Sequence, residues 1–276
     1  MKRLVSIVSS LLVAFAILLN VPDDSQAATR DSKKILVQNN EITDLNVLFE
    51  NALKGESDLK LDTNKITHLY PDISSSDKSS YKNLANISKD DILKVENYNT
   101  AQLLKKSIDE SGKTTESYAI TSFQIVSDHN ETDPTLGTFA DSSKGDSKWD
   151  GTLGVKAYST IYIDYFYNSR DDKYWDLTKA TGGWTVQVSD YVLFSRTVTI
   201  GQTGAGIKGG LVKEKKELLP STNTWSYTPS SSWADPVVAY AGSNAAGSVV
   251  GAYSHAMIKR NNNSYSWAIN LSNNMK

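Results

Sequence analysis

Residues 155–167, VKAYSTIYIDYFY, alternate without a break. Val155, Ala157, Ser159, Ile161, Ile163, Tyr165 and Tyr167 fall on one side of an extended chain, and Lys156, Tyr158, Thr160, Tyr162, Asp164 and Phe166 on the other. A period of two belongs to a strand, because successive side chains point to opposite faces. The same rhythm recurs downstream. Trp184, Val186 and Val188 alternate with polar residues, then Val192, Phe194, Val198 and Ile200 with an interruption at Arg196, and finally Tyr265, Trp267, Ile269 and Leu271. The run KRNNNS (residues 259–264) is a hairpin signal between that last segment and SVVGAYSHAMI. β-branched and aromatic residues fill these runs and turn residues separate them, which predicts an antiparallel β-sandwich or barrel-like domain over residues 117–276.

The chain before that point has another character. Gly55 is the only glycine before Gly112, and all six tryptophans lie from Trp149 onward. Leu45, Leu48, Phe49, Ala52 and Leu53 share one helix face, with Gly55 placed to end the helix in a left-handed cap. A second helical pattern runs from Ser88 to Gly112 through Ile92, Val95, Leu103, Leu104 and Ile108. Residues 28–116 are therefore expected to form a charged, mostly helical region, a prosegment or a tether. Residues 1–27 read as a secretory signal peptide. Lys2 and Arg3 precede an apolar stretch from Leu4 to Leu19, which falls short of the roughly 20 residues that span a bilayer. Small residues then place cleavage between Ala27 and Ala28, and the expected location is extracellular.

Composition narrows the chemistry. There is no cysteine, so disulfides, thiolate catalysis and zinc–thiolate sites are excluded. Loss of Lys2, Arg3, Asp23 and Asp24 with the signal peptide leaves the net charge at −2. That balance does not suit nucleic acid, which needs a basic surface.

Motifs are few. Gly204, Gly206 and Gly209 spell G-x-G-x-x-G, but a dinucleotide fingerprint needs a parallel strand before it and an amphipathic helix after it. Only GLVKEKKELL is available as that helix, so the glycines are expected to form a turn. No H-E-x-x-H and no G-x-S-x-G occurs, and His68, His129 and His255 are scattered. Asp171, Asp172 and Asp176 are read as a polar hairpin tip in preference to a glycosidase pair. Asp128, Asp133 and Asp141 are weak candidates for calcium, the one cofactor considered, in a long polar loop.

Aromatic side chains carry the remaining signal. Tyr158 and Tyr162 lie on the more polar face of their strand, and Trp175 and Trp233 in turn-like segments. Such groups offer flat apolar area with a hydrogen-bonding tip, as binding surfaces do, unless a second sheet or the N-terminal helices cover them. The runs KAYSTIYIDYFY, GGWTVQVSDYVLFSRTVTIGQTG, TNTWSYTPSSSW and SVVGAYSHAMIKRNNNSYSWAINLSN resemble a group of small secreted proteins of Gram-positive bacteria that has no settled function. The resemblance covers residues 156–273 and implies secretion and a β-rich fold, with no site residues. The expected function is non-enzymatic binding of cell-wall polymer, carbohydrate or protein through surface aromatics. The alternative is a bacteriocin-like or pore-forming protein acting on membrane lipid, and an extracellular hydrolase ranks third.

Overall fold

The alternating run of residues 155–167 is a strand near the centre of an antiparallel meander. The computed structural model describes residues 33–61, 65–72, 92–128, 154–167, 173–187, 189–233, 236–238, 248–261 and 265–276. All of them belong to one unit, Ser32–Lys276. In chain order the elements are β1 (Lys34–Gln38), α1 (Leu45–Lys54), β2 (Lys65–Leu69), β3 (Leu93–Ile108), β4 (Thr114–Asp128), β5 (Val155–Tyr167) and β6 (Lys173–Val186). They continue with β7 (Tyr191–Ala205), β8 (Leu211–Leu218), β9 (Thr224–Tyr227), β10 (Val237–Val238), β11 (Val249–Arg260) and β12 (Ser266–Met275). The fold is mainly β and its strand pairs are antiparallel, as the alternation predicts.

Two sheets share the core. The larger is the meander β3–β4–β5–β6, and the smaller has the order β12–β11–β7–β8. Their facing sides bury Ile120, Ile161, Leu177, Ile200, Ile258 and Trp267 among others. Both long margins of the meander are capped in pieces. On β3, β2 pairs with residues 93–97 and β1 with residues 105–108. Between them Ala101 N–H donates to Ser57 Oγ at 3.0 Å, and Leu103 N–H to Asp58 Oδ2 at 2.7 Å. On β6, β9 pairs with residues 180–183 and β10 with residues 174–175. In the gap, Leu177 N–H donates to Gln202 Oε1 at 3.1 Å. Capping of this kind removes the unpaired edge that would otherwise recruit another strand.

The outer face of the meander carries α1. Asp44 caps its start, with Oδ1 accepting from Asn46 N–H at 2.8 Å. Gly55 ends it at φ 71°, with Gly55 N–H bonded to Ala52 O and Glu56 N–H to Asn51 O, a Schellman closure. Leu48, Phe49 and Ala52 are buried against Phe123 and Ile125. Phe49 meets Tyr98 and Phe123 edge-on, with ring centroids 5.5 and 5.3 Å apart. Below the helix, Thr100, Thr121, Thr160, Thr181 and Ser226 occupy one lateral row across five strands. Thr121 Oγ1 and Thr160 Oγ1 are hydrogen-bonded at 2.9 Å, a contact in which either hydroxyl can donate.

Several expectations are corrected. The pattern from Ser88 to Gly112 is not a helix, because residues 93–108 form β3. Residues 109–113 form the β3–β4 turn, where Asp109 Oδ1 accepts from Ser111 and Lys113 N–H. GLVKEKKELL holds β8, an edge strand whose exposed lysines and glutamates suit an unpaired margin. Of the motif, Gly206 and Gly209 lie in the β7–β8 turn, as expected, with Gly209 and the following Gly210 at φ 87° and 82°, while Gly204 is in β7 opposite Val212. Val192 and Phe194 are exposed while Val198 and Ile200 are buried. A bulge opposite His255–Met257, with Ser195 at φ 50°, flips the phase of β7 between these pairs. The cleavage site at Ala27 and Ala28 lies outside the described residues.

Candidate functional site

The inner face of the meander changes character across its width. Over β5 and β6 it presents Ile161, Ile163, Leu177 and Trp184, all in the core. Over β3 and β4 the same face presents Asn97 and Asn99 opposite Gln124 and Ser122. The smaller sheet reaches only part of the way: its margin strand β12 packs over β4 and β5. The strip beyond is left as a cleft of about 580 Å³, bounded by β3, β4, β12, β2 and residues Lys60 and Leu61.

The cleft floor is a network of amides. Gln124 Nε2 donates to Asn97 Oδ1 at 3.0 Å and to the backbone O of Asn270 on the β12 margin at 2.9 Å. Gln124 is 6 % exposed, and its Oε1 is buried with no hydrogen-bond partner among the described residues. An unmatched buried acceptor of this kind costs about 1–3 kcal/mol. Beside it, Asn273 Nδ2 crosses between the sheets to donate to Ser159 O at 2.7 Å and Ile120 O at 2.9 Å. Asn274 Nδ2 donates to Ser272 Oγ at 2.7 Å on the β12 margin. Asn99, Ser122, Ser159 and Gly182 share one lateral row, so small side chains make room for these crossings. At the far end of the row a Cβ on Gly182 would lie 2.5 Å from Cζ2 of Trp225.

Among the described residues lining the cleft there is no acidic, imidazole or thiol side chain. Its chemistry is hydrogen bonding by neutral amides and hydroxyls, flanked by Lys60, Lys65 and Lys276. Groups of this kind can exchange hydrogen bonds with a polar ligand.

The sequence-predicted residues lie elsewhere and apart from one another. Tyr158 and Tyr162 share the outer face of β5. Tyr158 packs against the α1 cluster, and burial pushes its hydroxyl pKa up. Tyr162 O–H donates to Glu41 Oε1 at 2.6 Å, and Lys179 Nζ sits 4.9 Å from its ring centroid. Burial first, then the Glu41 charge, raises its pKa. Trp175 is not in a turn: it is on β6 and 5 % exposed, in the core. Trp233 packs on Tyr227 with centroids 5.5 Å apart, against the same core. Asp128 ends β4, and Asp133 and Asp141 lie outside the described residues. No group of three or more metal-ligating side chains occurs among the described residues.

Asp171 and Asp172 lie outside the described residues, whereas Asp176 is a strand residue. It pairs across β5–β6 with Asp164, whose Oδ1 accepts from Ser117 Oγ at 2.6 Å. Burial, then the charges of Asp164 and Glu214, lift the Asp176 pKa to about 6. Two facing carboxyl groups are hydrolase-like chemistry, but neither acid lines the cleft.

The cleft amides were missed by the sequence reading, although a signal for them existed. Asn97 and Asn99 fall inside the stretch read as helical, yet they keep the period of two and put polar groups on a face that is apolar elsewhere. No known family model matches the chain, and no curated protein or solved structure does.

Proposed function

We propose that this chain is an exported, non-catalytic binding protein whose cleft beside β12 takes a hydroxyl-rich extracellular ligand of the carbohydrate class. The carrying observation is the buried, unpartnered Gln124 Oε1 on a floor of amides. A hydroxyl delivered there, directly or through one water, offsets its desolvation. Asn97 and Ser122 add donors and acceptors at strand spacing, which suits a chain of sugar hydroxyls. Export rests on the signal-peptide pattern ending at Ala27.

The test is retention on immobilised cell-wall polysaccharide. Wild-type protein is retained, Ser122→Met, which adds bulk to the cleft, is not, and Tyr162→Ala behaves as wild type. The opposite ranking returns binding to the outer-face aromatics.

One observation favours a membrane-acting reading as second. β3 to β7 are 16, 15, 13, 14 and 15 residues long. Roughly 9–11 residues suffice for a strand to cross a bilayer. Among the described residues no helix is long and apolar enough to do so. Dye release from liposomes of bacterial lipid would favour that reading over the binder.

A further inference from the structure

We infer that the ligand of the amide cleft is an anionic glycan, a sugar polymer whose carboxylate or sulfate groups are held by lysines on both sides of the cleft. This rests on the carbohydrate reading above and adds the charge of the ligand to it. Lys60 and Lys65 stand on one wall and Lys276 on the β12 wall, all exposed. Among the described residues none of the three makes an ion pair, whereas Lys94, Lys106 and Lys215 pair with Glu96, Glu116 and Glu217 at 2.9, 2.7 and 3.5 Å. Among the described residues no acidic side chain lines the cleft, although the chain as a whole carries net charge −2. Positive charge thus stands beside Gln124 Oε1, a buried acceptor with no donor among the described residues.

The division of labour follows from the physics of each group. Exposed ammonium groups contribute modestly in water and are screened by salt, so they steer and select. The amides sit deeper, where hydrogen bonds to hydroxyls fix the register of the sugar chain. An acidic peptide is the competing occupant, since β12 offers a strand margin. That margin is already interrupted, because Gln124 takes Asn270 O and Asp72 N–H takes Ser266 O at 2.7 Å. The floor also presents amides in place of the alternating apolar pockets that read a peptide strand.

The experiment measures Kd at low salt for two matched pairs, hyaluronan oligosaccharides with their carboxyl-reduced forms and polygalacturonate with its methyl ester, alongside poly-glutamate. The protein is used as the wild type and as the Lys60→Ala, Lys65→Ala double variant, whose exposed sites leave folding intact. The expected result is binding of an acidic glycan about tenfold tighter than its neutral partner. That advantage disappears in the double variant and in 0.5 M salt. Equal binding of a matched pair overturns the anionic assignment while leaving the carbohydrate reading in place. So does an acidic preference that survives the double substitution. Poly-glutamate binding as tightly as the glycans overturns the assignment in favour of a peptide strand. Absence of binding to every glycan overturns the carbohydrate reading and this inference with it.

Discussion

The two halves of the inner face of the meander are built from the same strand geometry and end differently. Over β5 and β6 the inward positions are apolar and lie under the smaller sheet, around Trp267, which is fully buried. Over β3 and β4 the inward positions Asn97, Asn99, Ser122 and Gln124 interrupt an apolar face that carries Val95, Val126, Ala101 and Ile120 on either side, and the smaller sheet stops at β12. A polar group is tolerated between packed sheets only when it is partnered, so amides on this face mark where packing gives way to the open cleft. Asn273 sits on the border: it is buried, and both of its recorded bonds go to backbone carbonyls of β4 and β5.

The largest effect that separates the halves is loss of core volume. Ile161→Ala on the covered side is expected to cost about 3 kcal/mol, and Trp267→Ala about 3–5 kcal/mol, in urea unfolding. Equal losses from Asn97→Ala would erase the distinction, because that residue is expected to cost under about 1 kcal/mol.

A smaller effect of opposite sign belongs to Asp176. Its folded pKa of about 6 lies above the ordinary 3.8, so the native protein binds more protons than the unfolded chain between those values. Stability therefore falls as pH rises through that window and stays lower above it. Asp176→Asn is expected to gain about 1 kcal/mol at pH 7, discounted for solvent that reaches the carboxyl, and to flatten the pH dependence from 4 to 6. A loss of stability at pH 7 would mean that the carboxylate is favourably placed.

Gln124→Leu sharpens the contrast between folding and binding. It removes the unmatched Oε1 together with two hydrogen bonds whose partners border the cleft. Stability is expected to stay within about 1 kcal/mol of wild type while glycan retention is lost. Ser122→Ala is the smallest change, under about 0.5 kcal/mol in unfolding and a few-fold in Kd.

How far the sequence reached follows the same geometry. Uninterrupted alternation in residues 155–167 and at Tyr265–Trp267–Ile269–Leu271 assigned strand and face correctly, because packing on one side enforces the period. Gly55 gave the helix end because only a left-handed residue closes it without strain. Bulges defeated the reading elsewhere. The register shift between Leu103 and Lys105 sets apolar Leu103 and Leu104 side by side, which imitates helical spacing in β3. The Ser195–Arg196 bulge reverses the faces of β7. Trp175 looked like a turn residue because polar residues precede it, but its environment is set by β10 and the opposite sheet, which are distant in the chain. The cleft was illegible for a related reason: it exists only where the margin of one sheet stops over the face of the other.

The most direct measurement is chemical-shift mapping of backbone amides during titration with an acidic oligosaccharide. The account predicts that the perturbed residues cluster at Asn97–Asn99, Ser122–Gln124 and Asn270–Asn274. Perturbations confined to Tyr158, Tyr162 and the neighbouring α1 surface would contradict it and place recognition on the outer face.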